Sequence, residues 1–200
     1  MKKKIMAAMA ATILILTGCM GTGNILTGVD TTNALGNIIG SVLGINKVSE
    51  ANLIGTWKYT SPGCAFTSDN LLAKAGGEVA AQKIKSQLLT YYQSMGLSSG
   101  NTYFSFKEDK TFAAKLAGKS ISGTYAYDPS NGAINLKTLL LNMNGYVTLT
   151  TTGISLLFES QKILSVMQTL GALSGNSTIS TIGEISKNYD GVRIGFDLKR

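Results

Sequence analysis

Thr102-Tyr103-Phe104-Ser105-Phe106-Lys107-Glu108-Asp109-Lys110-Thr111-Phe112-Ala113-Ala114-Lys115-Leu116-Ala117 decides the fold of this chain. Two alternating runs, Phe104/Phe106 and Phe112/Ala114/Leu116, flank the charged tip Glu108-Asp109-Lys110. A period of two puts one set of side chains on one face of a strand, and a polar tip between two such runs reads as an antiparallel hairpin. Working outward, the same period recurs in Ile121/Gly123/Tyr125/Tyr127, Ile134/Leu136, Ile154/Leu156/Phe158 and Val192/Ile194/Phe196/Leu198. Asp128-Pro129-Ser130-Asn131-Gly132 is a strong turn, and Gly153 separates a strand over Tyr146–Thr151 from the next. Upstream, Ile54–Thr60 is a further strand, ended by Ser61-Pro62-Gly63. Eight strands result, six of them in consecutive meander. Eight antiparallel strands close into a barrel whose interior is filled by side chains or holds one small ligand.

Between the first two strands the period changes. Glu78–Met95 carries Ile84, Leu88 and Tyr91-Tyr92 on one stripe, and Gly96 is a natural stop. A short helix over Leu71–Ala75, capped by Asp69 or Asn70, precedes it. Gln161–Leu173 and Ser180–Tyr189 read as helices before the last strand. The expected fold is therefore mainly β: an eight-stranded antiparallel barrel with a long helical insertion after the first strand and helices before the last.

The N-terminus sets the compartment. Lys2-Lys3-Lys4 and the apolar run Ile5–Leu16 lead into Leu16-Thr17-Gly18-Cys19, which resembles the bacterial lipobox. A run of that length is too short to span a bilayer, and in this context reads as a cleaved leader. The expected organisation is a lipoprotein signal peptide over 1–18, a lipidated N-terminus and flexible tether over 19–50, and a barrel domain over 51–200. Acylated Cys19 is the membrane partner, and more than one acyl chain is needed for stable anchoring. No acidic cluster follows Cys19, which favours an outer-membrane anchor facing the periplasm.

Composition excludes several functions. The 200 residues contain 18 Lys and Arg against 11 Asp and Glu, a formal charge of +7. Removing the three leader lysines leaves 15 against 11, or +4, so nucleic-acid binding loses its main support. There is no histidine, so no histidine-based triad, metal site or proton shuttle exists. Neither a separated acid pair nor a C-x-x-C or acidic loop marks a hydrolase or metal site, and no cofactor is expected. Gly96-Leu97-Ser98-Ser99-Gly100 spells G-x-S-x-G, but a helix precedes it where the nucleophile elbow needs a strand. With Cys19 consumed by lipid, Cys64 has no partner within the chain and reads as a buried small residue.

Gly55-Thr56-Trp57 resembles the lipocalin G-x-W signature. More closely, Leu53-Ile54-Gly55-Thr56-Trp57-Lys58-Tyr59, Asn70-Leu71-Leu72-Ala73-Lys74-Ala75-Gly76-Gly77, Gly123-Thr124-Tyr125-Ala126-Tyr127-Asp128 and Tyr189-Asp190-Gly191-Val192 resemble uncharacterised lipocalin-like lipoproteins of Gram-negative bacteria. The similarity covers Leu53 to Arg200 and supplies a fold without an activity. It implies that Trp57 closes one barrel end under a basic side chain from near the last strand: Arg193 foremost, otherwise Lys199 or Arg200. The roughly forty residues between the first two strands depart from lipocalins, and their long helix is placed to cap or plug one end.

Phe104, Phe106, Phe112, Tyr125, Phe158 and Phe196 are the candidate ligand-lining residues. They line a pocket or fill the core, and the two outcomes separate the functions. A lined void supports non-catalytic binding of a small apolar or amphipathic ligand. A filled barrel supports docking of an envelope protein partner through the outer surface.

Overall fold

A computed structural model describes residues 47–67, 78–172 and 191–200. In it the alternating segments pair as β1 (Gly55–Phe66), β2 (Tyr103–Phe106), β3 (Thr111–Leu116), β4 (Lys119–Asp128), β5 (Ala133–Lys137), β6 (Asn142–Leu149), β7 (Ile154–Glu159) and β8 (Val192–Lys199). Each strand pairs with the next and β8 returns to β1, so the sheet is a closed antiparallel barrel. Three helices accompany it among the described residues: α1 (Glu50–Leu53), α2 (Glu78–Ser94) and α3 (Ser160–Ala172). None is long and apolar enough to cross a membrane. The leader, Cys19, the tether up to residue 46 and the helices expected over 71–75 and 180–189 lie outside the described residues.

Register follows from the apolar alternation. Phe104 faces Ala114, Phe106 faces Phe112, Tyr125 faces Leu136 and Leu156 faces Phe196 across their ladders. A slip of one residue would turn each of these sets outward, so one buried face fixes the pairing.

Two segments depart from the sequence expectation. Ser61-Pro62-Gly63 does not end β1; the strand runs on to Phe66 after a bulge between Tyr59 and Ser61. β2 pairs only with Gly55–Lys58, so among the described residues the second half of β1 has β8 on one side and no ladder on the other. Proline is tolerated where a strand has such a free edge. β6 begins at Asn142, four residues earlier than its hydrophobic run. Asparagine is depleted in strands, yet here Asn135 Nδ2 donates to Oδ1 of Asn142 (2.7 Å) and of Asn144 (2.6 Å), an amide ladder on the outer face.

α2 packs along β1 with Ile84, Leu88 and Tyr92 buried. Tyr92 sets its ring 5.5 Å from Phe196 and 6.1 Å from Tyr59 and donates its hydroxyl to Gly195 O at 3.1 Å. Lys85 Nζ lies 3.1 Å from Asp197 Oδ2, which also accepts from Ser61 Oγ at 3.3 Å, while Ser155 Oγ donates to Oδ1. α2 is thus pinned to the β1–β8 seam. It ends at the expected place: Gly96 takes φ +80 and Leu97 N donates to Tyr92 O at 2.9 Å. Gly63 and Gly195 face each other across the seam, and Leu157 lies over them; a Cβ at Gly63 would sit 2.7 Å from Leu157 Cδ2.

Candidate functional site

In an antiparallel meander all odd strands begin at one pole and end at the other. At the first pole the chain enters through α1. Ser49 caps this turn by accepting from Asn52 N at 3.2 Å, and Val48 and Leu53 are completely buried. Trp57 Nε1 donates to Leu53 O at 2.8 Å, which satisfies the indole in the barrel floor. Arg200 lies over the Trp57 ring, 4.7 Å from its centroid, and donates to Asn52 O at 2.7 Å and Ile54 O at 2.9 Å. Gly55, at φ +132, carries the chain past that guanidinium in a conformation that favours glycine. Tyr127 OH closes the remaining side on Val48 O at 2.7 Å, and Lys110 pairs with Glu50.

The basic partner of Trp57 is therefore Arg200 and not Arg193. Arg193 sits at the far end of β8, opposite Ala65 and Glu159 in the outward register, and stacks on the Tyr146 ring at 3.3 Å. Seven residues of strand, roughly 23 Å, separate the two arginines. Burial holds the Arg193 guanidinium below its ordinary value, with Tyr146 and Glu159 acting the other way.

All six candidate aromatics are buried. Phe106 packs on Tyr125 (5.2 Å, edge-on) and Phe112 (6.5 Å), and Tyr125 OH donates to Lys107 O at 2.7 Å. Phe104 and Phe196 approach to 5.3 Å, joined by Tyr59 and Tyr92. These contacts pack the barrel interior between the described strands. Phe104, Phe112, Phe158 and Phe196 also floor an apolar cavity of about 40 Å³ at the second pole, with Ile163 and Val166 of α3 over it. Phe106 and Tyr125 lie below and do not reach it. The cavity is far below the roughly 300–1,000 Å³ of a pocket that encloses a small molecule.

The rim of this mouth holds residues that strand periodicity does not reveal. Leu139 and Leu140, in the loop between β5 and β6, are 97% and 88% exposed. Thr138 holds the loop: its N donates to Leu141 O at 2.7 Å, and its Oγ1 accepts from Leu140 N at 3.2 Å and Leu141 N at 2.9 Å. The available signal was a run of three leucines, Leu139-Leu140-Leu141, where a turn ordinarily carries polar residues.

Outside the barrel wall, Thr67, Glu159, Ser160, Lys162 and Arg193 border a polar cleft of about 320 Å³, in which Glu159 and Lys162 pair at 3.3 Å. Cys64 is buried, and desolvation pushes its thiol up to about 12, with Lys85 opposing and Asp197 adding to the rise. Among the described residues no three His, Cys, Asp or Glu side chains gather to hold a metal ion.

A family model described as Lipocalin-like domain (DUF4923) matches residues 26–200. Among solved structures, a DUF4847 family protein from Bacteroides vulgatus is similar with a TM-score of 0.33 and 14% identity, over 56% of this chain and 90% of that one. No curated protein matches the chain.

Proposed function

Because the chain belongs to the lipocalin-like DUF4923 family, we propose that it is a non-catalytic envelope protein, lipid-anchored through Cys19, that receives the end of an apolar or amphipathic ligand at the mouth of its barrel. The observation that carries this reading is the apolar cavity under α3, whose rim continues into the exposed Leu139 and Leu140. Its volume of about 40 Å³ has room for only a few water-sized groups, each needing about 10–15 Å³. Such a seat fits the terminal carbons of an acyl chain, with the rest of the ligand outside. The leader and lipobox support the anchor and an outer-membrane location facing the periplasm, and the lack of histidine supports holding over reacting.

The aromatic packing of the described interior favours a second reading, a barrel that docks an envelope protein partner through its outer surface. Native mass spectrometry of the full chain, extracted from the envelope of its own host, separates the two. Retained lipid that disappears in Ile121→Trp, which fills the mouth from β4, is the expected result. A retained protein in place of lipid makes the second reading the better one.

A further inference from the structure

The loop carrying Leu139 and Leu140 borders the mouth directly, since its Thr138 and Leu141 line the same cavity. The structure points to a role for this tip: we propose that it docks on an anionic lipid surface, seating the mouth against the layer that supplies its ligand. The inference rests on the mouth being the ligand site.

Three observations converge on a bilayer as the occupant. First, Leu139 and Leu140 are adjacent and almost wholly exposed, whereas the other exposed large hydrophobics among the described residues, Val79, Leu89 and Leu149, stand singly. Single exposed leucines are ordinary, but a held pair beside an apolar mouth is a contact surface. The Thr138 bonds hold the pair outward, so docking needs no ordering of the loop.

Second, among the described residues the charge around the mouth is mainly basic. Lys137 precedes the loop, Lys115 lies near the end of β3 and Lys162 in the first turn of α3. β3, β5 and β7 all end at this pole, so these lysines share it. The one acid at these strand ends, among the described residues, is Glu159, paired with Lys162. A basic rim around apolar residues complements an anionic headgroup layer above acyl chains.

Third, the tether permits the orientation. The chain enters at the opposite pole, but about 27 residues separate Cys19 from Lys47. Fully extended, they reach roughly 90–100 Å, several times the height of strands four to twelve residues long. An anchored barrel can therefore turn its mouth to the membrane.

The test uses the full chain held in vesicles by its own anchor and carrying Leu139→Trp. The vesicles contain phosphatidylglycerol or phosphatidylcholine with brominated acyl chains, which quench tryptophan only within the layer. The expected result is quenching in the phosphatidylglycerol vesicles at least threefold above wild type, whose Trp57 is buried at the other pole. Adding Lys137→Glu should reduce it, as should replacing the lipid by phosphatidylcholine. Quenching no greater than wild type overturns the inference, as does equal quenching in both lipids. Concentration-dependent self-association that protects the introduced indole from bromine also overturns it, in favour of a second copy. Lipid retained in native mass spectrometry without bromine quenching overturns docking and leaves the ligand reading standing. Quenching without retained lipid supports docking and removes the ligand reading.

Discussion

The two poles of the barrel are built from the same strands and finished differently. At the Trp57 pole the carbonyls of the floor meet side-chain partners: Leu53 O takes the indole, Asn52 O and Ile54 O take Arg200, and Val48 O takes Tyr127. At the Leu139 pole the interior ends in apolar carbon under α3, and two leucines stand in solvent. Closure is thus a polar task, done by side chains that latch carbonyls over an apolar floor. Where the described residues place no such latch, the end keeps an apolar mouth. Aromatic packing between the poles ensures that this mouth is shallow.

The contrast is open to direct attack. Trp57→Ala removes a buried ring and its latch together, and we expect a loss of about 3–5 kcal/mol. Thermal unfolding should register a fall in Tm of roughly 10 °C or more; an unchanged Tm would show that the floor is not a keystone. Next in size is the seam between the poles. The Cys64 thiol and the Tyr59 hydroxyl are both pushed up to about 12, chiefly by burial. Each is raised above its unfolded value of 9.0 or 10.0, so its stabilising contribution is complete below that value and lost as pH rises towards 12. Stability measured by urea unfolding should hold flat to about pH 8.5. It should then fall by about 1.4 kcal/mol per pH unit for each group, and Cys64→Val should remove the earlier part of the fall.

Arg200→Ala takes away the cation over Trp57 and two donors while leaving the ring, for about 1–2 kcal/mol. Arg193→Ala should leave the Trp57 environment untouched, readable as an unshifted indole emission. The smallest effect belongs to the open pole. Leu139→Asp combined with Leu140→Asp should change stability by no more than about 0.5 kcal/mol, because both side chains stand in solvent. A large drop there would mean that the leucines support the fold, and the difference between the poles would disappear.

The barrel was legible in the sequence wherever alternation was clean, because a closed sheet with one buried face repeats that pattern strand after strand. β2, β3 and β5 bury every second residue. The second half of β1 was not legible: Pro62 reads as a terminator unless it is known that β2 has already left that edge. The start of β6 was hidden by asparagines whose partners lie on another strand. Arg200 and Arg193 are equal in residue type, and only the register of β8 tells which pole each occupies. The aromatic packing of the interior was least accessible of all. It depends on Tyr92, which arrives from α2 and lies outside any strand periodicity.

The pairing of β1 with β8 sets the order in which events can happen. Phe66 faces Val192 and Tyr59 faces Leu198, so the strand that is made first waits for the strand that is made last. The ladders from β1–β2 through β7–β8 can form one after another while the outer edges of β1 and β8 stay unpaired. Such distant pairings make folding slow. Unpaired edges during that interval invite pairing with other chains. Pro62 sits in the waiting strand, where the missing N–H makes it a poor template for a stranger, and the Asp197 cluster on β8 adds a charge to the other edge. Features that look like interruptions in the finished barrel are therefore safeguards for the time before it closes.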